Sequence, residues 1–425
     1  MSDQERVIFT KEMKETHTIL LPNMAPIHFE MLKNVFLNLG YKVELLKNEG
    51  SRTIQTGLRY VHNDTCYPAL LVIGQMIEAI QHGDYDVDKI AVLITQTGGG
   101  CRASNYIHLL RKALKKANLG HIPVISLNIG GIETNPGFKV TIPMIRKFVA
   151  GLVYGDLLMH LTNQIRPYET KEGETDQRLN NWIVKLSDTL NSGKGFSAGQ
   201  IKENCIAIVN DLKTINTHIV PKLKVGIVGE IYVKYAPLGN NHLEDFLKSQ
   251  DVESMTPGIM GFALFKVDNR LEDIKLYGGS PAKRAAVQIL FNYLQNLERI
   301  MYEAIKDNSN FVPTSRYKDA KKLVDGVVGY GSKMGEGWLL TAEMMELTEM
   351  GYGNIVCTQP FGCLPNHING KGMIRKITSV MPEANIVPID YDPSGTAVNQ
   401  QNRIKLMLAV GRENLEKKEL EEKES

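Results

Sequence analysis

The sequence has no apolar run long enough to cross a bilayer, and its opening Met1-Ser2-Asp3-Gln4-Glu5-Arg6 does not look like a secretory signal. A cytoplasmic protein is the expectation. An excess charge of either sign is also missing. The 49 basic and 47 acidic residues leave a net charge of +2, without the basic stripe that general nucleic-acid binding requires. Neither a membrane nor a nucleic acid is expected as a partner. Cysteine is sparse, with five in 425 residues, and an odd count in a cytoplasmic chain argues against a disulfide framework. What matters is which of the five are inert core thiols and which do chemistry.

Nucleotide-binding signatures are absent as well. The glycine loop Thr97-Gly98-Gly99-Gly100 is followed by Cys101, where a phosphate-holding loop continues with Lys-Ser or Lys-Thr. Gly226 and Gly229-Glu230 lack the spacing of a dinucleotide fingerprint. Close-spaced Cys-x-x-Cys pairs, usual in structural zinc knuckles, do not occur either.

What is present is strand and helix in alternation. Residues 89–94 form a continuous apolar run that reads as a strand buried on both faces, and 106–116 have helical spacing. Further strands are expected at 18–23, 41–46 and 123–127, with helices at 26–39, ending at Gly40, and at 68–81. Residues 47–64 read as a long polar loop. Residues 141–220 read as helical. A second α/β unit opens at 223–230, with strands near 354–358 and 385–390 and helices at 281–306, 320–323, 339–349, 370–380 and 399–410.

The expected fold class is α/β: two Rossmann-like parallel-sheet domains with a helical connector. The boundaries are 1–140, 141–220 and 221–411, followed by a charged tail at 412–425. Hydrophobic content of 43% is ample for a core in each.

Four cysteines share one context: a glycine or proline turn near the end of an apolar strand, close to a helix start. Cys66 and Cys101 belong to the first domain, Cys357 and Cys363 to the second. Cys66 precedes the 68–81 helix, whose dipole is expected to favour its thiolate. Cys205 lies among apolar neighbours and reads as a structural core thiol. If the two sheet edges face one another across a cleft, the four sulfurs converge there. Four thiolates suit an iron–sulfur cluster or a zinc ion. Ligands spread over separate elements favour the cluster, and zinc, thiol redox or plain structural cysteines remain as alternatives. The peptide N–H groups of Gly98, Gly99, Gly100 and Gly362 are candidates to hydrogen-bond cluster sulfur.

His62, His108 and His367 lie near these loops as candidate donors, and Arg102 is a candidate neutralising charge. Glu336 and Trp338 are candidate cleft residues in the glycine-rich segment 326–337, against the alternative of an ordinary helix entry. Glu230 and Lys234 are lesser candidates of the same kind.

The runs Asp64-Thr65-Cys66-Tyr67-Pro68, Gly98-Gly99-Gly100-Cys101-Arg102-Ala103-Ser104-Asn105-Tyr106 and Gln359-Pro360-Phe361-Gly362-Cys363-Leu364-Pro365-Asn366-His367, with Asp390-Tyr391-Asp392-Pro393 and Asn399-Gln400-Gln401-Asn402-Arg403, resemble the cluster-bearing proteins of the 2-hydroxyacyl-CoA dehydratase and benzoyl-CoA reductase superfamily. They are most similar to the segment found in large acyl-CoA dehydratase activase fusions. The resemblance covers about residues 20–408. It implies a cytoplasmic, oxygen-sensitive iron–sulfur protein of anaerobes that does electron-transfer, oxidoreductase or lyase chemistry. An ATP-dependent activase of the actin/sugar-kinase fold would be its partner, delivering single low-potential electrons for difficult reductions or dehydrations.

By motif, Cys66, Cys101 and Cys363 are the implied ligands and Cys357 the fourth candidate. Without Cys357, one iron stays open to water, hydroxide or substrate. Four suitable cysteines favour one [4Fe-4S] cluster over a double-cubane [8Fe-9S] cluster, unless a dimer partner contributes ligands. A homodimer, a heterodimer and an acyl-CoA or other small substrate are all compatible with the pattern. The activase's own ATP-binding motifs are absent, so ATP hydrolysis is not expected on this chain. The rival reading is an electron carrier or scaffold without a substrate of its own, or a zinc-stabilised α/β protein.

Overall fold

A computed structural model describes residues 6–62, 64–96, 100–128 and 133–424. The chain is α/β, built on two four-stranded parallel sheets. In the first, β1 (Thr18–Leu21), β2 (Lys42–Leu45), β3 (Ile90–Thr95) and β4 (Val124–Leu127) are ordered β2-β1-β3-β4. In the second, β5 (Lys224–Gly229), β6 (Glu253–Met255), β7 (Asn354–Pro360) and β8 (Asn385–Tyr391) are ordered β6-β5-β7-β8. The two sheets therefore repeat one topology. β3, β5 and β7 are buried nearly end to end, as expected of central parallel strands covered by helices on both faces.

In such a sheet the chain leaves the first strand to one side and returns on the other. That reversal opens a crevice beyond the carboxyl ends of the two central strands. The crevices fall between β1 and β3 and between β5 and β7.

The helix Tyr67–His82 is buried from Tyr67 through Ile80 without interruption, so it is a core helix rather than an amphipathic one. One apolar cluster joins its Leu70, Ile73 and Ile77 to Val225 and Ile227 of β5, locking the two sheets to a common interior. The helices Ile142–Ile165, Glu174–Asn191 and Ala198–Leu212 follow the first sheet, and their apolar faces merge with those of Ile259–Tyr277 and Pro281–Asn308. Asp156 ties these layers together. Its Oδ1 lies 2.8 Å from His28 Nε2 and accepts from Ile259 N–H at 2.8 Å, while Oδ2 accepts from Met260 N–H at 2.7 Å.

Three segments differ from the sequence reading. Residues 47–64 contain the helix Ser51–Tyr60, whose buried face is Thr53, Thr56 and Gly57; small and polar residues do the packing, so no apolar stripe marks it. The helix Ile259–Tyr277 is not announced by the sequence pattern, because buried Asp268 and Asn269 interrupt its apolar face. The charged residues after Gly411, expected as a frayed helix or tail, continue the final helix, Ala397–Glu424.

Candidate functional site

The crevice between β5 and β7 is where the candidate residues gather. Glu230 directly follows β5, and Cys363 lies in the turn that follows β7. Across from them, the chain beyond β3 brings Cys101, and Cys66 is the residue just ahead of the buried helix Tyr67–His82.

The Cys66 and Cys363 turns touch. Tyr67 N–H donates to the Phe361 carbonyl at 2.9 Å. Gly362 has φ +72°, and a Cβ there would stand 3.1 Å from Cys66 Cα, so both backbone conformation and space require glycine. The Cys101 turn is tied to the same place by Arg102, whose guanidinium donates to the Asp64 carbonyl at 2.5 Å. Arg102 thus serves as a strap between loops. Cys66 Sγ lies 2.9 Å from the Tyr106 hydroxyl. Cys66, Cys101 and Cys363 are close enough to interact electrostatically through Cys101, and all three interact with Glu230.

Two carboxylates complete the cluster of acids. Glu230 Oε2 accepts from Val233 N–H at 3.0 Å, and Glu336 Oε1 accepts from Ile231 N–H at 3.0 Å. Burial, reinforced by the neighbouring Glu336, holds the Glu230 carboxyl well above the usual carboxylate range. Burial raises the thiols of Cys66, Cys101 and Cys363 as well, with Glu230 and Glu336 adding to the effect on Cys363. At Cys66 this corrects the expectation of a dipole-favoured thiolate: desolvation outweighs both the helix end and the Tyr106 hydroxyl. Lys266 faces the group from the helix Ile259–Tyr277, donates to the Gly335 carbonyl, and is itself shifted down by burial.

Three thiols and two carboxylates packed together like this repel one another in their charged forms. A cationic guest reverses that logic and favours every ionised ligand at once. Among the described residues, no three His, Cys, Asp or Glu side chains stand close enough to hold a single metal ion.

The other sequence candidates lie elsewhere or play structural parts. Cys357 sits within β7, opposite Val228 and Pro388, fully buried in the apolar core. Burial pushes its thiol up to about 12, and its charged neighbours are Asp390, Glu343 and Lys371 rather than the other cysteines. Cys205 is wholly buried in an apolar cluster. Gly98 and Gly99 lie outside the described residues; Gly100 is described, with the Met334 thioether against it.

His367 Nδ1 lies 2.8 Å from both the Cys363 carbonyl and the Gln359 amide nitrogen, bracing the turn. His62 is exposed, and His108 interacts with Glu133. Trp338 is core, edge-on to Phe265. Lys234 forms a buried ion pair with Glu343 at 2.9 Å.

Tyr106 and Lys266 were not anticipated as site residues. Tyr106 stands inside the glycine-cysteine motif, so its place was open to notice, whereas nothing in the sequence links Lys266 to the cysteines. No protein-family model matches the chain, and a search of curated proteins returns no match.

Proposed function

We propose that this chain is an iron–sulfur protein in which Cys66, Cys101 and Cys363 hold a [4Fe-4S] cluster in the crevice beyond β5 and β7. The observation that carries the reading is that the turns bearing Cys66 and Cys363 touch and that Cys101 stands within electrostatic reach of both, in an acidic setting that a cationic guest would stabilise. The resemblance of the same three motifs to the 2-hydroxyacyl-CoA dehydratase and benzoyl-CoA reductase superfamily supports it independently.

When bound, such a cluster supplies one-electron chemistry at low potential. The chain's own groups set its surroundings. Tyr106 offers a hydroxyl to the Cys66 sulfur, Gly362 lets the two cysteine turns meet, and burial of Cys66 and Cys363 shields their thiols from water. With Cys357 inside the sheet, three thiolates leave one iron for a different ligand, which favours reaction at the cluster over electron storage. In this reading the protein is cytoplasmic. It takes electrons from an ATP-hydrolysing activase for a reduction or dehydration.

Anaerobic purification followed by iron and sulfide analysis and paramagnetic resonance of the reduced protein tests the proposal. The expected result is close to four irons and four sulfides per chain, with a cubane signal on reduction. Stoichiometric zinc without sulfide contradicts it.

A further inference from the structure

At the amino ends of β5 and β6, opposite the cysteine crevice, the chain forms a second recess. It is an open cleft of about 1330 Å³, roomier than the roughly 300–1,000 Å³ of an ordinary small-molecule site. Four lysines from three segments line it. Lys213 follows the helix Ala198–Leu212, Lys222 and Lys224 lie at the entry to β5, and Lys306 is in the last turn of Pro281–Asn308. Among the described residues, no arginine lines the cleft.

Two of these charges are answered within the protein. Lys222 pairs with Asp251. Lys224 stands opposite Glu253 in the register of β5 and β6, with its Nζ 3.9 Å from Glu253 Oε2 and 5.1 Å from the centre of the Tyr352 ring. Glu253 is only 4% exposed and accepts from the hydroxyls of Tyr168 and Tyr352, so it is a fixed floor beneath Lys224. The other two charges are not neutralised. Lys213 Nζ donates to the Asn308 carbonyl at 2.9 Å, and Lys306 has, among the described residues, only the Tyr302 ring at 5.7 Å.

The carbonyl end of the helix Pro281–Asn308 steadies Lys213 and Lys306, but it does not account for two more lysines arriving on β5 at the same space. The side chains of Thr217 and Asn310 also line the cleft and donate to no other group among the described residues. Ile219, 70% exposed, and Phe311 give it apolar wall. Asp307 is the one lining acid without an ion pair among the described residues.

We propose that this cleft binds a phosphate-bearing small molecule with an apolar portion, Lys213 and Lys306 taking the phosphate and Ile219 and Phe311 the apolar portion. A lysine ammonium is a compact point charge that suits a tetrahedral phosphate, whereas the planar fork of arginine is the better match for a carboxylate. The six residues of β5 separate this site from the cysteine crevice by on the order of 15–20 Å. The site stands whether or not the crevice holds a cluster.

The test titrates the full chain, prepared anaerobically, with phenyl phosphate, inorganic phosphate and benzoate by calorimetry at constant ionic strength. Phenyl phosphate is expected to bind once per chain and more tightly than either of the others. Lys306→Gln and Lys213→Gln are each expected to weaken it about tenfold, the loss of one charge-assisted hydrogen bond. Asp307→Asn is expected to tighten it. Lys283→Gln, at the far end of the same helix, is expected to match wild type. Lys306 and Asp307 are exposed, so their variants keep the test decisive should Lys213→Gln disturb folding.

No saturable binding of phenyl phosphate, or equal affinity in wild type, Lys306→Gln and Asp307→Asn, overturns the site. Benzoate bound as tightly as phenyl phosphate overturns the assignment to phosphate.

Discussion

The Tyr106 hydroxyl lies 2.9 Å from Cys66 Sγ, at the meeting of the glycine-cysteine motif and the buried helix Tyr67–His82. The contact counteracts the burial that raises the Cys66 thiol. Tyr106→Phe therefore pushes the thiol higher still. A hydrogen bond worth about 1 kcal/mol corresponds to about fivefold less thiolate. In metal-free protein at mildly alkaline pH, alkylation of Cys66, followed by mass spectrometry, is expected to slow by that factor while Cys101 is unaffected. Equal rates in the two proteins would show that the hydroxyl does not act on the sulfur.

Gly362 is required twice over, by its φ of +72° and by the 3.1 Å that would separate its Cβ from Cys66 Cα. Gly362→Ala is expected to cost about 1–2 kcal/mol for the left-handed backbone alone, and to part the Cys66 and Cys363 turns. Urea denaturation measures the first effect. Iron content after anaerobic loading, expected to drop, measures the second.

Lys234 and Glu343 form an ion pair with both side chains only 4% exposed. Lys234→Met strands the carboxylate in the core and is expected to destabilise the chain by about 3–5 kcal/mol. Adding Glu343→Leu removes the stranded charge, and most of the loss should return. A double variant no more stable than Lys234→Met would contradict this.

Burial raises the Glu298 carboxyl from 4.5 to about 7, opposed by the Tyr317 N–H that it accepts. The folded chain thus holds this proton to higher pH than the unfolded chain does. The group's contribution to stability is fully present below about pH 4.5 and is lost as pH rises through 7, with an upper bound on the order of 3 kcal/mol. Denaturation midpoints measured between pH 5 and 8 are expected to fall less in Glu298→Gln than in wild type. Parallel falls would assign the slope to other groups.

The central strands were legible because parallel strands buried on both faces leave unbroken apolar runs, as in Ala91-Val92-Leu93-Ile94. β6 left no such trace. It is a three-residue edge strand whose Glu253 is buried through hydrogen bonds from Tyr168 and Tyr352, both distant in sequence. Turn chemistry groups all four of Cys66, Cys101, Cys357 and Cys363, and the narrowing to Cys66, Cys101 and Cys363 comes from the family resemblance. Cys357 shows the limit of that reasoning: a strand residue three positions before the strand's end looks the same in sequence whether it points to a crevice or into the core. Lys266 and the approach of the Glu336 turn to Gly100 and Pro365 depend on tertiary packing between segments with no local signature.

The most direct check is bound iron and sulfide in anaerobically prepared Cys→Ser variants of all five cysteines. Serine at Cys66, Cys101 or Cys363 is expected to lower both sharply, while serine at Cys205 or Cys357 leaves them near the wild-type content. Equal content across all five, or loss only at Cys357, would contradict the account.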